Sequence, residues 1–495
     1  MILDRIAFAC VLAGATGATF AADTAEVNVL KQQMEEMRRQ LTAMQQKLDG
    51  LVATPSAAPP SAQSRTQPAT APGAVAQAPS AAPPAPNSPN SPNSPIPGAA
   101  DLSTTIGGAT MTLYGFVDVS ADAAKDGVHS YTQISSNLSY LGVRAIRPLG
   151  TSGLKAVAQI ETLANVSGTP TEASGLSSRN SFIGLEGGWG RLALGKYDTP
   201  YKRATAAMDP FASSVADYNS IMGNTGGDLR AEFDARLPHS VFYDSPSLGG
   251  FSVNALYSPG QKFADLQGSD KYAFAQGEFL CSGSSPRGSG SLPDPTSAGG
   301  AVCDDGAFTN AWSIAANYEA GSLFATIAYE RHAATNRTSD TGGVISDESA
   351  AKVGASYQFG SNRLSGIYEK FYRAGGVDPT LNERARTGYY LSDVQQFGPL
   401  DVMLAWAHAN QTPGGPDFGT IDDKANMYAL GTKYHYDKWV SLYAVGTLLK
   451  NGPGAHYALG AGGHGVPIAS PRDDSGSTIP GKTLQAISVG MQFGF

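Results

Sequence analysis

The chain has 495 residues, 34 Lys and Arg against 42 Asp and Glu, and a net charge of −8, which leaves no basic footprint for nucleic acid. Only 15% of residues are charged, while Gly reaches 58, Tyr 21 and Phe 19, a balance that suits a turn-rich β-protein and fits a soluble helical enzyme poorly. Beyond the first two dozen residues no stretch approaches the ~18 apolar residues of a membrane-spanning helix, so transmembrane helices are excluded, whereas barrel strands are not.

Residues 1–21 read as a secretory signal. Arg5 precedes the apolar run IAFACVLAGATGATF, and Thr19-Phe20-Ala21 offers a small-residue cleavage site, with Ala22 as the alternative end. Cys10 sits too early for a lipoprotein site. Residues 22–52 change character. Val27, Leu30, Met34, Met37, Leu41, Met44, Leu48 and Leu51 alternate spacings of three and four, a heptad seam with Lys31, Glu35, Glu36, Arg38, Arg39 and Lys47 on the other faces. The pattern predicts a short α-helical coiled coil roughly 40 Å long. The plainer alternative is one amphipathic helix packed on a globular domain, but a polar segment follows and no nearby domain could cover the stripe. Residues 53–110 are a Pro/Ala/Ser-rich linker containing NSPNSPNSP, which cannot bury a core and favours extended conformations.

From 111 to 495 short alternating runs recur between Gly, Asn, Asp, Ser and Pro clusters. In TLQAISVGMQFGF, Ile487, Val489, Met491, Phe493 and Phe495 share one face, and Ala486, Ser488, Gly490, Gln492 and Gly494 the other. Candidate strands fall at 111–122, 133–147, 154–166, 178–187, 191–200, 239–247, 250–259, 311–319, 323–334, 349–360, 362–374, 384–397, 401–411, 425–437, 440–450 and 482–495, sixteen in all. Every second connector is tight (GTSG, EGGWG, SLGG, EAGS, FGSN, FGPL, YDKW) and the others are long. That rhythm predicts an all-β transmembrane barrel of 16 antiparallel strands with short periplasmic turns and longer external loops. A soluble sandwich would alternate in hydropathy without this strict short–long order. An even strand count places both barrel ends, and the extension before them, on the periplasmic side.

The remaining chemistry is sparse. Cys281 and Cys303 would be the only cysteines of an exported chain, and an even pair in an oxidising compartment reads as one disulfide, worth about 3 kcal/mol of constraint on the unfolded state. No His or further Cys clusters near them, and the seven histidines have no metal-ligand spacing, so no metal or other cofactor is expected. GPGAHYALGAGGHG lacks the strand-to-helix context of a phosphate loop and reads as a surface loop. No catalytic residues can be assigned, and the chain is not expected to be an enzyme.

MTLYGFVDV, LGVRAIRPLGTSGLKAVAQIET, RNSFIGLEGGWGRLALGKYDTPY and HSVFYDSPSLGGFSVNALY resemble the general porins of Neisseria, Bordetella, Burkholderia and their relatives, over roughly 111–495. The resemblance implies a homotrimer of 16-stranded barrels whose third external loop folds into the lumen. Here that loop is about 201–238 and carries Asp209, Asp217, Asp228, Glu232 and Asp234. It also implies a basic cluster opposite the loop. Arg179, opening RNSFIGL, and Arg236, before HSVFYDSP, match that cluster, whereas Tyr140 stands where the family has a third arginine. Arg144 shares the inward parity of Tyr140 nearer the periplasmic end. Phe495 resembles the terminal aromatic read by the barrel-assembly machinery. Expected partners are two further copies of the chain, outer-membrane lipid and lipopolysaccharide, and that machinery. The expected function is passive diffusion of small hydrophilic solutes. A structural tether between outer membrane and peptidoglycan, acting through the coiled coil, is the rival reading. A trimeric autotransporter adhesin would contribute only a few strands per chain, and an outer-membrane enzyme would need a catalytic constellation.

Overall fold

The computed structural model describes residues 102–167, 176–224, 232–259, 310–337, 344–373, 385–412, 422–473 and 478–495, the backbone of three short strands between 261 and 281, and the single residues Arg39 and Phe308. The chain divides into two units, Met1–Ser80 and Ala81–Phe495. In the first, Arg39 is helical and exposed. The signal segment, the heptad positions from Val27 to Leu51, Asp228 and Cys303 lie outside the described residues. Cys281 is described only as backbone, in a short strand whose partner position is Ala273.

Sixteen barrel strands follow in chain order: β1 (Ala109–Lys125), β2 (Ser130–Ser136 continuing as Tyr140–Pro148), β3 (Lys155–Leu163), β4 (Ser181–Gly187), β5 (Gly190–Asp198), β6 (Arg236–Asp244), β7 (Phe251–Ser258), β8 (Asn310–Ala320), β9 (Leu323–Arg337), β10 (Val344–Phe359), β11 (Asn362–Arg373), β12 (Thr387–Phe397), β13 (Leu400–Ala409), β14 (Ala425–His435), β15 (Val440–Asn451) and β16 (Thr483–Gly494). Each pairs antiparallel with the next, and β16 returns to β1 through Phe116↔Gly494 to Lys125↔Gln485, so the sheet closes. In hydrocarbon every backbone N–H and C=O needs a partner within the protein, and closure removes the unpaired edges. Period-two alternation then sorts the faces. Outward side chains such as Ile183, Leu430, Ile487 and Val489 are more than half exposed, while their neighbours Phe182, Ala429, Ala486 and Ser488 are buried toward the interior.

Two local features depart from the expected spans. The second strand is broken at 137–139, where Leu138 has a left-handed φ of 45°. Its two halves pair with different stretches of the long β1. The break also inverts parity, since Gln133 and Ser135 face inward in the first half but Tyr140 and Arg144 in the second, with Ile134 and then Leu141 and Val143 on the outside. The barrel also starts earlier than residue 111. A strand at Ser103–Ile106 folds back onto the start of β1, inside the segment assigned to the linker. Gly107 and Gly108 make this possible, since both carry positive φ (60° and 78°), as a two-residue hairpin turn requires.

The seam between β1 and the final strand is finished by Phe495, whose N–H donates to the Gly115 carbonyl (3.0 Å) and whose carbonyl accepts from the Gly115 N–H (2.9 Å). Its ring covers Gly115 so closely that a Cβ there would lie 2.3 Å from a ring carbon. Gly115→Val should therefore displace the ring and destabilise the seam by about 1–3 kcal/mol. The check is the temperature at which the compact barrel is lost on semi-native gels, with Gly188→Ala, which meets nothing within 4 Å, as the neutral control.

Candidate functional site

The segment between β5 and β6 begins with a short helix, α1 (Pro200–Thr205). Thr199 caps it, its hydroxyl accepting from the Lys202 N–H at 3.2 Å, and Pro200 occupies the first turn, where its missing N–H has no consequence. From there to Asn224 the chain runs along the inner wall. Tyr201 N–H donates to Ser313 of β8 (2.9 Å) and its hydroxyl to Glu369 of β11 (2.7 Å). Tyr390 of β12 donates to Asp209 (2.8 Å), and Ser392 donates to the Met208 carbonyl (2.7 Å). The Gly223 N–H donates to Glu369 (2.9 Å), and Arg386 reaches the carbonyls of Ile221 and Asn224. Apolar residues fix the same orientation. Met208, Phe211, Val215 and Ile221 pack with inward-facing Met403, Ala407, Met427 and Val445 in one buried cluster.

The loop carboxylates fold the loop. Asp209 accepts from the amides of Phe211 and Tyr218, both at 2.9 Å. Asp217 accepts from those of Ser213 (2.6 Å) and Asn219 (2.9 Å). Asp234 takes the Tyr218 hydroxyl and the Lys352 ammonium, both at 2.5 Å. Burial pushes the Asp209 carboxyl up to about 6, against the amides and the Tyr390 hydroxyl that favour its charged form. Burial and the neighbouring Asp209 charge raise Asp217 well above the usual carboxylate range.

Across β2–β6 lies a basic patch. Arg179 Nε donates to Glu161 (2.7 Å), and its guanidinium stacks over the Tyr140 ring at 4.6 Å. Arg236 and Lys202 share Asp198 (3.2 and 3.1 Å). Arg191 and Arg203 share Asp244 (2.6 and 2.8 Å). Arg144 pairs with the neutral Gln159. Five cations therefore share three carboxylates and Arg144 faces a neutral amide, so these six cations and three carboxylates carry a formal surplus of three positive charges.

The family model described as Gram-negative porin matches residues 68–453, most of the chain. The chain is a Gram-negative porin. Outer membrane porin protein 32 of Delftia acidovorans is 26% identical over 397 residues, covering 78% of this chain and 94% of that protein. The major outer membrane protein P.IB of Neisseria sicca is 34% identical over 160 residues, but only 42% of its length is spanned. The solved anion-selective porin from Comamonas acidovorans superposes with a TM-score of 0.57 at 22% identity over 78% of this chain and all of that one, a likeness of fold. Porins reside in the outer membrane and are channels rather than enzymes.

In this porin Arg179, Arg236, Arg144 and Tyr140 come together as one patch on the inner wall. Arg179 pairs with the wall residue Glu161 and Arg236 with the wall residue Asp198. Tyr140, standing where the family has arginine, supplies the ring that carries Arg179. Asp209, Asp217, Glu232 and Asp234 are all buried, so they do not present an acidic face to the lumen. Sequence reasoning missed Arg191, Lys202, Arg203 and Asp244. RLALGKYDTPYKRA does place an arginine and a Lys-Arg pair at the two ends of one strand-to-helix unit, and the unbroken basic run after YDTPY was the available signal.

An unfolded Asp titrates near ~3.9, so around pH 5 the folded loop holds a proton that the unfolded chain releases. This stabilisation is fully present below that value and is lost as pH rises through about 6. Amide exchange across 209–221, corrected for intrinsic rates, should be slower near pH ~5 than near pH ~7.5. Asp209→Asn should abolish most of that difference. Equal protection of the native loop at both pH values would refute the assignment.

Proposed function

We propose that this outer-membrane porin conducts ions and small hydrophilic solutes by passive diffusion through a water-filled channel that the third loop narrows. The supporting observation is the row of bonds from 201–224 to inward-facing residues of β8, β11 and β12. These hold about two dozen residues inside the wall instead of above the rim. The surplus charge on β2–β6 and α1 favours anions. A fixed cation beside a narrow path lowers the barrier for one sign of ion and raises it for the other. We further propose a homotrimer with the N-terminal extension in the periplasm, supported by the family resemblance and by the heptad seam, which three barrels would bring together around one axis.

Planar-bilayer recording of the purified protein tests this reading. Openings should come in multiples of three, and the reversal potential in a KCl gradient should favour chloride. Arg236→Glu should move selectivity toward potassium. Lys202→Gln, which is more exposed and held by a single ion pair, should do so with less effect on folding. Removing one charge ~4 Å from the ion path changes its energy by about 1 kcal/mol in water, up to about five-fold in permeability ratio. A folded oligomer without conductance would instead favour the tether. That reading predicts a weakened envelope after deletion of 23–100 with conductance retained.

A further inference from the structure

One carboxylate on the outer wall has no use in the channel. Ser392 donates into the barrel, so its neighbour Asp393 on β12 points outward. The residues paired with Asp393 are Leu364 and Leu404, 51% and 49% exposed on the same outer face. Asp393 lies four residues before Phe397 ends β12, roughly 13 Å of strand from the tight-turn end, which is the periplasmic end in outer-membrane barrels. It has no hydrogen-bond or ion-pair partner among the described residues. A short carboxylate cannot reach back to water as lysine or arginine can, and an unpaired charge at the edge of hydrocarbon is costly.

The surroundings of Asp393 are shaped. It lines a concavity of about 1220 Å³ that runs over β11–β16 onto β1 and β2. Gly446 opens its floor, and Leu364, Leu391, Leu404 and Leu430 form the side near the carboxylate. In this region a leucine-walled trough meets an anionic end close to the lipid headgroups. We propose that the trough binds an aminophospholipid of the periplasmic leaflet, with its primary ammonium on Asp393 and an acyl chain along the leucines. Charge complementarity carries the choice. The ammonium supplies both the counter-charge and the N–H donors that the carboxylate lacks, while the chain fills a space walled near Asp393 by leucines, the lysine of the lining, Lys125, standing at the far end of β1. An anionic phospholipid would bring its charge against Asp393 and lose that contact.

The test uses the full-length protein in detergent, with phosphatidylethanolamine or phosphatidylglycerol of identical chains added, and reads the thermal unfolding midpoint. Phosphatidylethanolamine should raise the midpoint by several degrees and phosphatidylglycerol should not, since a ligand that binds only the folded state stabilises it by mass action. Asp393→Asn should lose that rise. Gly446→Leu, which fills the floor without touching the charge, should reduce it. Asp437→Asn, in an exposed turn, should retain it. The proposal is overturned if Asp393→Asn responds like the native protein, or if both lipids stabilise equally. It is also overturned if either trough variant changes the oligomer size on a sizing column, because the trough would then hold a second copy of the chain.

Discussion

Backbone pairing in a medium without water is the constraint on which this structure depends. A sheet in hydrocarbon must close, and closure here is made by a single seam between β1 and β16, extended to Phe495 and Gly115. Once the sheet is closed, period two does the rest. Alternate side chains meet lipid or the interior, and the apolar fraction of the sequence is used mainly on the outside. The usual relation between core and surface is thus inverted, and the interior can hold charge. Arg179, Lys352 and Glu369 are buried there because each has an opposite charge or a hydrogen bond close by.

Against that inner wall the third loop behaves as a small folded element. Its carboxylates stand in for backbone partners that a strand or helix would have supplied, accepting amides at 209–219 that no ladder reaches. Its apolar side chains find an unusually apolar stretch of wall on β13–β15, where Ala407, Ala409, Ala425 and Met427 are wholly buried. A polar, water-facing wall at that height would have left Phe211 and Ile221 without a counterpart. The wall's small residues and the loop's large ones are complementary, which explains why alanines recur at inward positions of those strands.

Much of the fold was legible in the sequence, because strands of period two bounded by tight Gly-containing turns leave their mark in every few residues. All sixteen strands lie where alternation places them, with ends moved by a few residues, and the family is the one the motifs resemble. The site was only half legible. Arg179 and Arg236 could be found by motif, but their partners could not, because Glu161 and Asp198 are ordinary inward positions until neighbouring strands are set in register. Asp244 stands 53 positions from Arg191 and 41 from Arg203, and nothing local joins them. The carboxylates of 209–234 read as an acidic lining because composition reports charge and not burial. The break at Leu138 was legible only as a change of parity, the inward positions passing from Gln133 and Ser135 to Tyr140 and Arg144.

The two shared carboxylates have a consequence for how such a channel can change over generations. Asp198 and Asp244 each tie a wall arginine to a cation of α1, so in the proposed channel either one would set the field along the path and also anchor the base of the loop. A substitution at either would then alter ion preference and aperture together. Lineages adapting to a new nutrient or an incoming drug therefore cannot tune these two traits separately through the anchors. Independent variation has to run through positions with one light attachment, of which Lys202 is the clearest. Drift at that site and constancy at the two aspartates is the pattern that such a linkage would leave in populations.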